Sequence, residues 1–182
     1  MYHTMPEDSN SPDGSPAIVL LSGLPGAGKT TFALALLSLL PGVHVESDAI
    51  RRGLFPQPQY TPDESAAVFD TVERRAAAAL ARGRIAVIDA TNLTRNDRQR
   101  FLQLARRTGV PVVSVRVVAP DDVVRERLAK PRDGFSQADT GVFEAMRGRA
   151  QPFRRPVVVV DSRFDSAPAL QLVLRLLKES TG

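Results

Sequence analysis

The segment from Gly23 to Thr31 has the residue types and spacing of a loop that binds the phosphates of a nucleotide. Its sequence, "GLPGAGKTT", fits the pattern G-x-x-x-x-G-K-[ST]. Glycines let successive backbone N–H groups turn toward a phosphate chain, and the positive end of a following helix attracts the same charge. The motif predicts binding of a nucleoside triphosphate, but leaves open whether water, a small molecule or a polynucleotide accepts the phosphate. The predicted cofactor-binding residues are Gly23, Leu24, Pro25, Gly26, Ala27, Gly28, Lys29, Thr30 and Thr31.

Lys29 and Thr30 are the side chains of this motif with direct chemical roles. A lysine here reaches the β and γ phosphates and stabilises charge during transfer, and the adjacent hydroxyl binds Mg²⁺. We therefore predict ATP and Mg²⁺ as cofactors, with Lys29 catalytic and Thr30 a metal ligand. The alternative is a simple glycine turn, but the buried run "AIVLLS" before it and the apolar "KTTFALALLSLL" after it favour the phosphate loop.

A second candidate group follows the predicted strand "VHVES". Ligands of an open parallel sheet bind beyond the carboxyl ends of its strands, so Asp48 lies at the same edge as the phosphate loop. We predict that Asp48 accepts the proton of an attacking hydroxyl, and that Arg51, one helical turn on, holds an anionic group of the acceptor. The alternative is a capping aspartate followed by a surface arginine.

The third predicted strand also ends in polar residues, "IDATNLTR". We predict that Asp89 lies close to the Mg²⁺ ion, and that Thr91 and Asn92 bind the acceptor or a phosphate. Ordinary turn chemistry explains these residues equally well, because Asn and Thr are common where helices begin.

Apolar runs with strand character alternate with helical patterns from residue 17 onward. This alternation predicts an α/β fold, a five-stranded parallel sheet with helices on both faces. Residues 1–16 are rich in Pro, Ser, Asp, Asn and Gly, and we expect a disordered tail before a single domain over 17–182. No sequence feature specifies an oligomeric state.

A basic segment, "RERLAKPRDGFSQADTGVFEAMRGR", begins at residue 125 and breaks at Pro131 and the pair Asp133-Gly134. We predict a mobile helical lid over about 125–150. Arg127 and Arg132 flank the break, so we expect them to bind nucleotide phosphates, with Arg132 also catalytic. A solvated basic face is the simpler explanation for some of these charges.

Composition narrows the possible classes. The chain has 182 residues, 43% of them hydrophobic, and no cysteine, which excludes disulfides and thiolate catalysis. Its two histidines lie far apart in sequence, so we expect no histidine metal site. The net charge of +4 is compatible with an anionic partner without requiring one. The sequence has neither an apolar run of roughly 18 residues nor a secretory signal, and we expect a cytoplasmic protein without a membrane span.

Four segments in order, "GLPGAGKTT", "SDAIRRG", "DATNLTR" and "RLAKPRDGFSQAD", resemble P-loop kinases of the polynucleotide 5′-kinase type, within a broader group of small predicted AAA-like P-loop kinases. The resemblance implies a three-layer P-loop NTPase fold. It also implies that Asp48 is the general base, that Arg51 contacts an acceptor phosphate, that Thr91 lies near the acceptor, and that Arg127 and Arg132 bind nucleotide phosphates. The residue before Thr91 is Ala90 here, whereas the phage-type enzyme has an acidic residue there.

The main hypothesis is therefore an ATP- and Mg²⁺-dependent kinase that phosphorylates the 5′-hydroxyl end of a polynucleotide. The close alternative is a small-molecule acceptor, such as a sugar, nucleoside, antibiotic or nucleotide sugar, the last as in a toxin-like kinase. A regulatory nucleotide-binding switch or ATPase without transfer is the alternative from another class.

Overall fold

The computed structural model describes residues 15–129 and 140–180. Its strands are β1 (Ile18–Ser22), β2 (Gly42–Glu46), β3 (Ile85–Asp89), β4 (Val112–Val118) and β5 (Val158–Asp161). Its helices are α1 (Lys29–Leu37), α2 (Ser47–Leu54), α3 (Pro62–Ala81), α4 (Arg95–Thr108), α5 (Asp121–Ala129), α6 (Thr140–Arg147) and α7 (Ala167–Glu179).

The five strands form one parallel sheet in the order β2-β3-β1-β4-β5. The central strand β1 is buried at every position, as expected where helices cover both faces of a parallel sheet. All five strands end at the same edge, so the segments that follow them meet there. Glu46 of β2 lies beside Asp89 of β3 at this edge.

Two hydrophobic cores lie on opposite faces of the sheet. Helices α1 and α7 cover one face, where Phe32 and Val173 are buried against the odd-numbered residues of β1. Helices α3 and α4 cover the other face, where Val72 and Phe101 pack against Ile18 and Leu20. Neighbouring strand residues face opposite sides, which is why each buried strand supplies both cores.

This architecture confirms the predicted α/β fold with a five-stranded parallel sheet and helices on both faces. The main difference from the predicted elements is α2, which follows β2 without an intervening loop. Helix α1 ends at Leu37, three residues before the predicted end at Leu40. Helix α4 begins at a capping box formed by Thr94 and Asp97, and Gly109 ends it in the left-handed conformation.

Two predictions concern, partly or wholly, residues that the structure does not describe. Residues 1–14 of the predicted tail are among them, as is the segment 130–139 of the predicted lid, which contains Arg132. The described parts of the lid are helices α5 and α6. In the described part of the chain, no helix is long and apolar enough to cross a membrane.

Candidate active site

The loop from Gly23 to Gly28 connects β1 to α1 at the centre of the sheet edge. A Cβ at Gly23 would lie 2.3 Å from the backbone oxygen of Val117, so only glycine fits this position. Gly28 precedes α1 in the left-handed conformation, with φ of 102°. The Gly23 N–H donates to the backbone oxygen of Thr91 at 3.0 Å, which ties the loop to the segment after β3. Close packing and backbone bonds therefore fix the loop where the positive end of α1 opens.

Lys29 and Thr30 lie at the start of α1, as the motif requires. The Lys29 ammonium Nζ donates to the backbone oxygen of Leu24 at 3.1 Å, so it bends back over the loop. The Thr30 hydroxyl Oγ1 donates to Asp89 Oδ2 at 2.7 Å. The structure thus brings Thr30 and Asp89, the two predicted metal-binding residues, into direct contact.

His44 shares the same carboxylate. Its Nε2 lies 3.0 Å from Asp89 Oδ2 and donates to it. Burial acts to lower the pKa of His44, but the hydrogen bond and the negative charges of Asp89 and Glu46 outweigh it and leave that pKa raised. Burial acts to raise the pKa of Asp89, yet the bonds from His44 and Thr30 and the charge of Lys29 hold that pKa below its ordinary value. Asp89 is therefore an ionised carboxylate.

Thr30 and Asp89 fit Mg²⁺. Hydroxyl and carboxylate oxygens are the hard ligands that this ion prefers. Both hydrogen bonds described above fall on Oδ2, so Asp89 Oδ1 accepts neither of them. Mg²⁺ commonly binds through one or two protein groups together with substrate phosphates and water, so it needs no larger cage. Consistently, the described residues contain no cluster of three or more His, Cys, Asp or Glu suited to a metal.

Arg127, from α5, joins the phosphate loop to the segment after β5. Its Nη1 donates to Ser162 Oγ at 2.7 Å and to the backbone oxygen of Gly26 at 3.3 Å, and its Nη2 donates to the Ser162 backbone oxygen at 3.2 Å. Arg127 thus places a positive charge beside the loop, although its sequence position lies about 100 residues away. The structure brings this predicted nucleotide-binding residue to the loop.

One cleft of about 830 Å³ extends along the sheet edge from β2, past the phosphate loop, to β5. Its size suits a nucleotide together with a small second ligand. The phosphate loop lines the middle of the cleft. The β5 side contributes Arg127, Met146, Ser162 and Phe164, and the β2 side contributes His44, Glu46, Ser47, Asp48, Tyr60, Asp89 and Thr91.

Asp48 lines the β2 side of the cleft in the first turn of α2. The immediate transition from β2 to α2 places Glu46, Ser47 and Asp48 together on the cleft wall. The Tyr60 side chain lines the same cleft, where burial and then the charge of Asp48 raise the pKa of its phenol. Asp48 and the phosphate loop therefore face the same cavity.

Arg51 takes a different position from the one predicted. Its side chain is only 9% exposed and does not line the cleft. Its Nη2 donates to Ser65 Oγ at 3.3 Å, its Nη1 lies 3.7 Å from Glu64 Oε2, and the Tyr60 ring covers the guanidinium at 4.6 Å. In this arrangement Arg51 joins α2 to α3 instead of reaching the cleft.

The structure places Thr91 and Asn92, the other predicted acceptor-binding residues, in different surroundings. Thr91 lines the cleft. Asn92 is fully buried behind it, with φ of 44°, and its Nδ2 donates to the backbone oxygen of Leu21 at 2.7 Å. The buried Arg98 donates to the backbone oxygens of Asn92 and Leu93 at 3.0 and 2.7 Å. The position of Asn92 is that of a residue that shapes the turn after β3.

The cleft residues that the sequence reasoning did not assign include His44, Glu46, Tyr60 and Ser162. The period-two alternation of β2 was a usable signal for two of them. Val45 points into the core under α3, so His44 and Glu46 must point to the opposite face, where Asp89 lies. Tyr60 and Ser162 lie in connecting segments, for which no such pattern exists.

This arrangement defines a P-loop protein with the fold of the small kinases. A family model described as an AAA domain matches residues 18–153, three quarters of the chain. The chain belongs to this AAA domain family.

Two curated relatives that match the chain are named as kinases. An adenylyl-sulfate kinase of Paraburkholderia xenovorans is 28% identical over 169 residues, which cover 88% of this chain and 90% of that enzyme. A 6-phosphofructo-2-kinase/fructose-2,6-bisphosphatase of Bos taurus is 27% identical over 139 residues. This second match covers 66% of this chain. It covers only 29% of that enzyme's length, which is well under two thirds.

Solved structures with the same fold include further kinases. The adenylyl-sulfate (APS) kinase CysC of Mycobacterium tuberculosis, in complex with AMPPNP and APS, superposes with a TM-score of 0.69 at 18% identity, over 91% of this chain and 99% of that one. A gluconokinase of Sinorhizobium meliloti superposes with a TM-score of 0.67 at 19% identity, over 91% and 94% of the two chains. Together with the family match, these relatives confirm the predicted class of enzyme, a phosphotransferase with the P-loop kinase fold. A polynucleotide kinase is not among these relatives.

Proposed function

We propose that this protein is an ATP- and Mg²⁺-dependent kinase that transfers the γ-phosphate to a hydroxyl group of a small molecule. The observation that carries this proposal is the shared cleft, in which Asp48 and the phosphate loop face one cavity of about 830 Å³. A phosphate donor held at the loop and an acceptor held at β2 would meet inside this cavity. Positioning of this kind, together with electrostatic stabilisation, accounts for most of the catalysis in phosphoryl transfer.

The β and γ phosphates would lie against the backbone N–H groups of the loop and the Lys29 ammonium. Thr30 and Asp89 would hold the Mg²⁺ ion, which when bound neutralises charge on the β and γ oxygens. Arg127 would add positive charge on the β5 side while it holds the loop against Ser162. Arg132, predicted to assist from the lid, remains a prediction from sequence.

Asp48 would accept the proton of the attacking hydroxyl. Its place at the first turn of α2, directly after the edge strand β2, puts the carboxylate on the wall opposite the β5 side. A base must be within hydrogen-bond reach of the hydroxyl that it activates. An acceptor bound against Glu46, Ser47 and Tyr60 would present its hydroxyl to Asp48 within the cleft.

Small-molecule kinases among the relatives favour a small acceptor over a polynucleotide end. The adenylyl-sulfate kinases and the gluconokinase are named for small molecules, and the chain spans nearly the full length of such enzymes. Arg51, which a polynucleotide kinase would use to hold an acceptor phosphate, joins α2 to α3 in this structure. We therefore prefer the small-molecule acceptor to the 5′-hydroxyl end that the sequence motifs suggested.

The experiment is a transfer assay with γ-labelled ATP and Mg²⁺. The acceptors are a panel of sugars, nucleosides and hydroxylated antibiotics in one arm, and 5′-hydroxyl DNA and RNA oligonucleotides in the other. We expect labelled product in the small-molecule arm. Labelling of oligonucleotides alone would replace the small-molecule proposal with the polynucleotide one.

The Asp48→Ala variant separates a kinase from a nucleotide-binding switch. If Asp48 is the base, transfer should fall by about 10²–10⁴-fold while ATP binding is retained. The matched control is Asp70→Ala, which removes an exposed carboxylate of α3 that pairs with Arg100 of α4 and does not line the cleft. Unchanged ATP turnover in Asp48→Ala, with no acceptor labelled, would favour the switch.

A further inference from the structure

Charge is divided between the two ends of the cleft. Among the described residues that line it, the two permanent cations are Lys29, in the phosphate loop, and Arg127, toward β5. The three carboxylates, Glu46, Asp48 and Asp89, all lie toward β2. The end where an acceptor would bind is therefore negative, whereas the phosphate end is positive.

Glu46 is the carboxylate of this group without an assigned role. It ends β2 on the face opposite the buried Val45 and is half-buried on the cleft wall. No hydrogen bond to its carboxylate is found within the described parts of the chain. Burial raises the pKa of Glu46 and the charges of Asp89 and Asp48 add to this effect, while the charges of His44 and Arg52 oppose it without outweighing it. Glu46 is thus a half-desolvated carboxylate whose oxygens remain available to hydrogen-bond donors.

Two arginines follow these acids in sequence, and neither is among the residues that line the cleft. The charge of Arg52 favours the ionised form of Glu46 but does not outweigh its burial, which leaves the pKa of Glu46 raised. Arg51 is bonded to Ser65 and paired with Glu64, and the Tyr60 ring lies between the guanidinium and the cavity. Glu64 is itself fixed, because its carboxylate accepts the backbone N–H groups of Gln59 and Tyr60 at 2.7–3.1 Å. An anionic group could reach Arg51 only after Tyr60 moved.

We infer that the acceptor is a hydroxyl compound without an anionic group, and that Glu46 binds it by accepting hydrogen bonds from its hydroxyl or ammonium groups. This inference rests on the proposed function and deepens it by naming the substrate class. A carboxylate or phosphate on the acceptor would face the carboxylates of Glu46 and Asp48 in a partly desolvated site, which is unfavourable. Neutral polyols and amino sugars meet no such repulsion.

The test uses three six-carbon compounds that are matched in size and differ in charge: glucosamine, glucose and gluconate. The chain has no tryptophan and only two tyrosines, Tyr2 and Tyr60. In a Tyr2→Phe background the intrinsic fluorescence therefore reports Tyr60, which lines the acceptor end. Binding of each compound is titrated by this emission with AMPPNP and Mg²⁺ present, and phosphate transfer to each is measured with labelled ATP.

We expect glucosamine and glucose to bind at least about tenfold more tightly than gluconate. Glu46→Gln should weaken glucosamine binding by about tenfold, the usual worth of one charge-assisted hydrogen bond, and should not weaken gluconate binding. The matched control is Glu179→Gln, an exposed carboxylate on α7, which should leave all three affinities unchanged.

Tightest binding of gluconate, no binding of glucosamine or glucose, or unchanged glucosamine affinity in Glu46→Gln would each overturn the inference. The experiment distinguishes failure of this inference from failure of the proposed function. Efficient transfer to gluconate would leave the kinase intact and refute the charge preference. The expected order of binding without transfer to any hydroxyl compound would instead refute the kinase.

Discussion

The two ends of the cleft are built by different means. The phosphate end depends on backbone: a glycine packed against the Val117 oxygen, a left-handed Gly28 and the N–H groups at the start of α1, all within nine consecutive residues. The acceptor end depends on side chains from β2, α2 and the segment before α3. A contiguous segment encodes the first end, whereas the second exists only after β2 and α3 have packed.

The two ends also differ in electrostatic balance. Next to the phosphate loop, the ionised Asp89 accepts hydrogen bonds from Thr30 and His44, and Arg127 is held by Ser162 and Gly26. At the acceptor end, Glu46 lies near the Asp48 carboxylate, and the charges of His44 and Arg52 do not outweigh the cost of its burial. The phosphate end therefore resembles a fixed scaffold, while the acceptor end retains unfavourable charge of the kind found at functional sites.

The largest expected effect tests whether the phosphate end serves both ATP binding and phosphate transfer, while Asp48 at the acceptor end serves transfer alone. Lys29→Ala should reduce phosphate transfer by about 10²–10³-fold, because it removes a cation that faces the developing charge. It should also weaken ATP binding by about tenfold, which Asp48→Ala should not. Isothermal titration with AMPPNP and a transfer assay measure both effects. Equal loss of ATP affinity in Lys29→Ala and Asp48→Ala would contradict this division of roles between the two ends of the cleft.

A pair of glycine substitutions tests the contrast in backbone geometry. Gly23→Ala should destabilise the protein by about 2–4 kcal/mol, because its Cβ would overlap the Val117 oxygen, which cannot move freely. Gly53→Ala, in α2, meets nothing within 4 Å and should stabilise by about 0.5–1 kcal/mol through reduced backbone entropy. Urea unfolding monitored by circular dichroism measures both. Equal stability of the two variants would contradict the tight packing of the loop.

The smallest expected effect concerns charge at the acceptor end. A glutamate whose pKa is raised in the folded state binds its proton more tightly when folded, so its ionisation lowers stability as pH rises through that pKa. Glu46→Gln should therefore increase the melting temperature at pH 7 by about 1–3 °C. The gain should shrink in acid, as the native carboxylate becomes protonated. A lower melting temperature at pH 7 would mean that the Glu46 charge is stabilised in the folded state, contrary to the burial and the neighbouring carboxylates that raise its pKa.

Sequence patterns predicted most helices and strands, because the spacing of apolar residues within each of them is a short-range signal. Apolar runs such as "AIVLLS" and "VHVES" located β1 and β2 to within one residue. They missed α2 as a separate helix because it has only eight residues, too few for a periodic apolar face. They also placed the end of α1 too late, since the apolar run continues past the helix to Leu40.

The residues of the candidate site also divide into those that local patterns predicted and those whose position depends on partners far away in sequence. Motif spacing identified Thr30 and Asp89 separately, and their contact followed from the shared sheet edge. The direction of Arg51 could not be predicted, because two positions on α3, Glu64 and Ser65, compete for it from more than ten residues away. Asn92 was equally ambiguous, since the same amide can face a ligand or satisfy a buried backbone oxygen.

The sequence by itself determined the loop with the P-loop motif, the alternating α/β order and the sheet edge at which the candidate site lies. These follow from short-range rules: glycine conformation, apolar periodicity and the direction of parallel strands. Only the tertiary structure decided which side chains reach the cleft, since that depends on competition between partners far apart in sequence. Packing of α3 against α2 turned Arg51 away and left Glu46, Asp48 and Tyr60 to form the acceptor wall.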